Sequence, residues 1–167
     1  VCLLSAAYYH GASHQKPQVF QVMTSKQLKN IRCGRIQLNF VYKRSIKDLL
    51  LTERVVKTGY LTLSSPELTA QDLLQYMQKA GGLNSIATVL SELLEVIEPE
   101  AFRQILQQSI ETAWIQRFGY ILSHIDSLEP EKQQVLITLA REELENRVVR
   151  MLPLAPELSR KGMPRDQ

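Results

Sequence analysis

No stretch of this chain approaches the ~18 consecutive apolar residues that a membrane-spanning helix requires. Cysteine is nearly missing. Cys2 and Cys33 stand far apart and neither belongs to a C-x-x-C pair, which favours two reduced thiols in a cytoplasmic protein over a disulfide or metal site. The G-x-x-x-x-G-K-[ST] phosphate loop and the G-x-S-x-G nucleophile elbow are both missing. Histidine occurs at His10, His14 and His124 only. His10 and His14 have the i, i+4 spacing that can place two ligands on one helical face. Gly11 and Ser13 between them interrupt a helix, and no Cys or carboxylate nearby completes a site. His124 falls on the polar edge of an amphipathic segment. The expectation is therefore no metal and no cofactor.

What is present is an ordinary globular composition, 44% hydrophobic and 22% charged over 167 residues. Those fractions exclude a disordered or collagen-like chain, and the length suffices for one domain with its own core. The chain opens at Val1 without a Met, which reads as a fragment or a processed product. Val1 to Tyr9 lacks the basic flank of a signal peptide.

The net charge of +3 hides a split. Residues 1–65 carry ten basic groups and two acidic ones, Asp48 and Glu53, for +8. Residues 66–147 carry six basic and thirteen acidic groups, for −7, and the tail 148–167 carries +2. A segment so basic has the signature of a polyanion-binding face, nucleic acid being the usual partner. The alternative is that the basic half faces the acidic half within the molecule or across a dimer.

Hydrophobic periodicity orders the elements. Leu3, Leu4, Ala7 and Tyr8 have helical spacing, with Gly11 suited to a C-cap. Val19–Met23 reads as a strand. In Ile36–Tyr42, Ile36, Leu38, Phe40 and Tyr42 share one face, and Gln37, Asn39 and Val41 the other. Arg54–Lys57 and Tyr60–Leu63 read as a hairpin with Gly59 in the turn. The pattern then turns helical. Ser64 to Glu67 has the form of a capping box with Pro66 in the first turn, and Gly81-Gly82 stops that helix. Asn84 is a candidate cap for the next, whose stripe is Ile86, Val89, Leu90, Leu93, Leu94 and Ile97. A third helix follows Pro99, a fourth carries Trp114, Phe118, Ile121, Leu122 and Ile125, and a fifth opens at Pro130. Trp114 and Tyr8 are expected in the core. The fold class is α+β: a small antiparallel sheet with a leading helix in residues 1–65, a helical part of about five helices in 66–147, and an extended tail, 148–167.

Catalytic patterns are sparse. Asp48, Glu53 and Lys57 are the one set with the residue types of a metal-dependent nuclease, which needs paired carboxylates and a lysine on neighbouring strands. Glu53 and Lys57 share strand parity, a coincidence common by chance, and the reading is of a protein without a catalytic step. The candidate site is instead the basic set: Lys26, Lys29, Arg32, Arg35, Lys43, Arg44, Lys47, Arg54 and Lys57.

Several segments carry a resemblance in their order and spacing: Leu4-Ser5-Ala6-Ala7-Tyr8-Tyr9-His10-Gly11, Gln18-Val19-Phe20, the run from Thr58 to Leu74, Gly81-Gly82-Leu83, Ser91-Glu92-Leu93-Leu94 and Arg117-Phe118-Gly119-Tyr120-Ile121-Leu122. Together they resemble the C-terminal domain of the AbiEi-type antitoxins, transcriptional regulators of type IV toxin–antitoxin systems associated with phage resistance. The resemblance implies an N-terminal winged helix-turn-helix, which does not precede Val1 in this sequence. It implies an operator DNA partner, autoregulation of the promoter and counteraction of a nucleotidyltransferase-like toxin, directly or indirectly. The alternative is a protein-interaction module whose acidic helices dock a basic partner without DNA contact.

Overall fold

The computed structural model describes residues 1–13, 17–46 and 48–147. The expected tail, 148–167, lies outside them, as do His14 and Lys47. The class is α+β, with two small sheets in the first 65 residues and helices after them.

The leading helix, α1, spans Leu3–Tyr9 and buries Leu3, Ser5, Ala6 and Ala7. Strands β1 (Val19–Thr24), β2 (Ile31–Cys33) and β3 (Ile36–Tyr42) form one sheet in the order β1-β3-β2. The β2–β3 pair is antiparallel, but β1 pairs with β3 in parallel. Strands β4 (Leu51–Val56) and β5 (Gly59–Ser64) make a separate antiparallel hairpin. There are thus two sheets where a single antiparallel one was expected. Alternation along a strand marks its faces but carries no information on the direction of its neighbour. At the hairpin tip Lys57 and Thr58 form the turn, and Gly59 begins β5 opposite Val56.

The first two residues splice the sheets. Val1 N donates to the Thr62 carbonyl at 2.8 Å and Ser64 N donates to the Val1 carbonyl at 2.9 Å. Cys2 N then donates to the Gln21 carbonyl of β1 at 3.1 Å. Gln21 is the buried hub of this join. Its backbone N donates to Ser5 Oγ (2.9 Å), its side-chain oxygen accepts from Leu4 N (3.0 Å), and its Nε2 donates to the Lys79 carbonyl (2.8 Å). The edge of β1 is thereby covered by the start of α1, which removes one site for stray strand pairing. Burial around Cys2 pushes its thiol up to about 12, so it stays protonated and inert.

The helical part contains α2 (Pro66–Gln75), a 3-10 turn (Met77–Lys79), α3 (Leu83–Leu93), α4 (Pro99–Gln108), α5 (Ala113–Leu122) and α6 (Pro130–Glu145). The N-cap of α2 is Ser65, whose Oγ accepts from Leu68 N at 3.2 Å. Glu67 does not close the expected capping box. It is buried, and its Oε1 accepts from Glu98 N at the start of α4, at 2.9 Å. Every residue from Glu67 to Leu74 is buried, so α2 runs through the middle of the molecule. Gly82, not Asn84, is the N-cap of α3, and Asn84 lies within that helix.

α4 and α5 are separate helices. Their join is closed by Ser109, whose Oγ accepts from Trp114 Nε1 at 2.7 Å. Phe102, Trp114 and Phe118 are fully buried and touch edge-on or tilted, with centroids 4.6 to 6.4 Å apart. Helix α6 is pinned at both ends by side chains that satisfy the exposed carbonyls of its neighbours. Gln133 Nε2 donates to the Ile125 carbonyl just past α5 at 2.9 Å, and also to that of Leu122. Arg147 donates to the Leu106 carbonyl of α4 at 2.8 Å. Among the described residues no helix is long and apolar enough to cross a membrane.

Candidate nucleic-acid interface

Two of the basic residues are held by the fold. Lys43, just past β3, reaches the buried Asp72 of α2, with Nζ and Oδ1 2.8 Å apart. Asp72 also accepts from Ser64 Oγ at 3.3 Å. Burial pushes the Asp72 carboxyl up from the ordinary value, and the Lys43 ammonium opposes that shift. Tyr76 adds a second tie to the same end of β3, its hydroxyl donating to the Tyr42 carbonyl at 3.2 Å. Arg54 on β4 donates to the Tyr9 carbonyl at the end of α1. Beside it, His10 Nε2 donates to the Ser64 carbonyl at 2.7 Å. A carbonyl can only accept, so Nε2 carries the proton. Burial lowers the His10 pKa, with the Ser64 contact opposing.

Lys26, Lys29, Arg32, Arg35, Arg44 and Lys57 are exposed, and among the described residues none forms an ion pair. The topology divides them. Because β1 and β3 run parallel, Lys26 and Arg44 leave the sheet at the same end. Lys29 approaches that end too, since its neighbour Asn30 accepts from Phe40 N at 3.0 Å. Arg35 lies in the β2–β3 turn at the opposite end, and Arg32 pairs with Gln37 beside it. Lys57 stands alone at the tip of the β4–β5 hairpin. The structure thus brings Lys26, Lys29 and Arg44 to one end of the sheet, Arg32 and Arg35 to the other, and leaves Lys57 apart.

The remaining candidates are dispersed. Asp48 precedes β4, Glu53 pairs with Thr62 on the hairpin, and Lys57 is in its turn. Among the described residues no three His, Cys, Asp or Glu side chains converge as metal ligands would. His124 is exposed, with Nδ1 donating to the Tyr120 carbonyl at 2.7 Å. Trp114 is core as expected, whereas Tyr8 is half-buried and meets Tyr9 edge-on at 5.5 Å.

Sequence reasoning missed the face between these cations. Val41 and Gln21 are buried and mark the inner side of the three-stranded sheet. The opposite side carries the more apolar half of β3. There the register sets Phe20 beside Leu38, Val22 beside Phe40 and Cys33 beside Ile36. Ile36 is 59% exposed, Ile31 50% and Tyr42 43%. The signal was in the alternation of Ile36, Leu38, Phe40 and Tyr42, which fixes a shared face but not which side meets the core.

Comparison with known families matches residues 1–124 to the AbiEi antitoxin C-terminal domain. This chain belongs to that family. The match takes in both sheets and every helix through α5, and α6 follows it. Comparisons with curated proteins and with solved structures gave no match. Membership makes a toxin–antitoxin setting the context for the chain.

Proposed function

We propose that this AbiEi-family domain is the non-enzymatic antitoxin part of a transcriptional autoregulator. It counteracts a nucleotidyltransferase-like toxin and adds phosphate contacts to operator binding by a winged helix-turn-helix. The observation that carries the DNA part is the set of six exposed cations whose side chains make neither an ion pair nor a hydrogen bond among the described residues. Unpaired Lys and Arg displace condensed counterions from phosphate and so supply sequence-independent affinity. Lys43, paired with the buried Asp72, and Arg54, exposed but hydrogen-bonded to the Tyr9 carbonyl, serve to fix the sheet and hairpin that present the others. Lys47 belongs to the same candidate set and lies outside the described residues.

Charge reversal of Lys26, Lys29, Arg32, Arg35 and Arg44 is expected to weaken duplex binding across all sequences. The slope of log affinity against log salt should fall by about 1 for each phosphate that is no longer neutralised. Unchanged binding would make these residues bystanders and favour the protein-interaction reading. Antitoxicity is tested by co-expressing the chain with the toxin encoded beside it. Growth rescue is the expected result. A folded chain that fails to rescue would show that these residues alone do not neutralise the toxin.

A further inference from the structure

The outer side of the three-stranded sheet is a partly exposed apolar surface, with Phe20, Val22, Leu38 and Phe40 half-buried along it and Ile36 and Tyr42 exposed at its two ends. Soluble proteins seldom leave such a contiguous face without a partner. Two features of this one select the chemistry of the partner.

The first is its rings. Phe40 and Tyr42 stand two residues apart on β3, so they share the outer face about 6.6 Å apart along the strand. Phe20 lies on the same face of β1, diagonal to Phe40, and meets Tyr9 edge-on with ring centroids 6.5 Å apart. The second is its charge. Lys26, Lys29 and Arg44 stand at one end of the sheet and Arg35 at the other, while β1, β2 and β3 contain no carboxylate at all. An apolar protein partner needs no cations at both ends. Nucleobases and their phosphates need both features at once, because bases stack on aromatic faces while the backbone tracks the positive rim. In a duplex the base faces are already stacked on one another, so only an unpaired strand can offer them.

We propose that this sheet face is a stacking platform for single-stranded nucleic acid, with Phe40 and Tyr42 as the base-contacting rings. This rests on the nucleic-acid reading above and adds to the duplex an unpaired strand as the ligand of this face.

The test is fluorescence anisotropy of the full chain with labelled oligo-U and oligo-dT of about 12 nucleotides, a length within the usual site size, and with a duplex of equal length. Phe40→Leu and Tyr42→Leu keep apolar bulk but remove the π-face, and thermal melting checks that both variants are folded. The expected result is tighter binding of the single strands than of the duplex. Each leucine variant should weaken single-strand binding about 5-fold or more and leave duplex binding unchanged. Arg44→Glu should weaken both. Leucine variants that bind like the parent would overturn the platform, while retained duplex binding would leave the broader DNA reading standing. A parent that binds neither probe would overturn both. Sedimentation that finds a dimer, dissociated by Ile36→Glu, would also overturn the platform by assigning the face to a second copy of the chain.

Discussion

Lys43 shows how a residue that stands among candidate ligand contacts in sequence is also tied into the fold. It follows β3 among other cations, and nothing local marks it as different. Its partner, Asp72, is twenty-nine residues away and entirely buried. Removing one member of a buried pair strands the other charge. Lys43→Met is therefore expected to cost about 3 kcal/mol in urea unfolding, and adding Asp72→Leu should restore part of that loss. His10 gives a pH prediction of defined sign. Its folded pKa is lowered by burial, so the neutral ring contributes stability that is intact above the ordinary value of 6.5. That contribution disappears as pH falls from there through the folded value. Melting temperature should drop over this window in the parent and drop less in His10→Gln. A parent with no greater loss than the variant would show that His10 is not responsible.

At the scale of elements, the helices were the most legible part of the sequence. Ile86, Val89, Leu90 and Leu93 repeat at helical spacing, and all four are buried on α3. The caps were less legible, because capping depends on where one chain end meets another. Ser64 and Ser65 are adjacent, and only packing decides that Ser65 caps α2 while Ser64 turns to Asp72. Glu67 likewise serves the start of α4 rather than its own helix, a contact that spans thirty-one residues. Helix α2 ends at Gln75, short of the stop expected at Gly81-Gly82, and the glycine pair instead makes the turn into α3. Both residues have positive φ, +79° and +84°, a region costly for any residue with a Cβ. Gly82→Ala is expected to lower stability by about 1–2 kcal/mol. Asn84→Ala, inside the helix, should change it by no more than about 0.5 kcal/mol. Denaturant midpoints of the two variants distinguish a backbone turn from a side-chain cap.

Across the whole molecule, the charge split survives folding as a division of labour. The basic half is built from exposed strands and turns, and the acidic half from helices that carry most of the core. Composition made that division visible. The number of sheets and the parallel pairing were not visible, since both arise from contacts between distant segments. The Val1–Cys2 splice is the clearest of these, joining residue 1 to Thr62 across sixty-one positions. Such a link can form only after a long loop has closed, when most other contacts have already repaid their entropy. The hairpin should then dock late on the folding route. In stopped-flow experiments Leu73→Ala in α2 should slow refolding, whereas Leu63→Ala on β5 should mainly hasten unfolding. The two sheets, spliced side by side in the finished fold, would be separated by the order in which they join it.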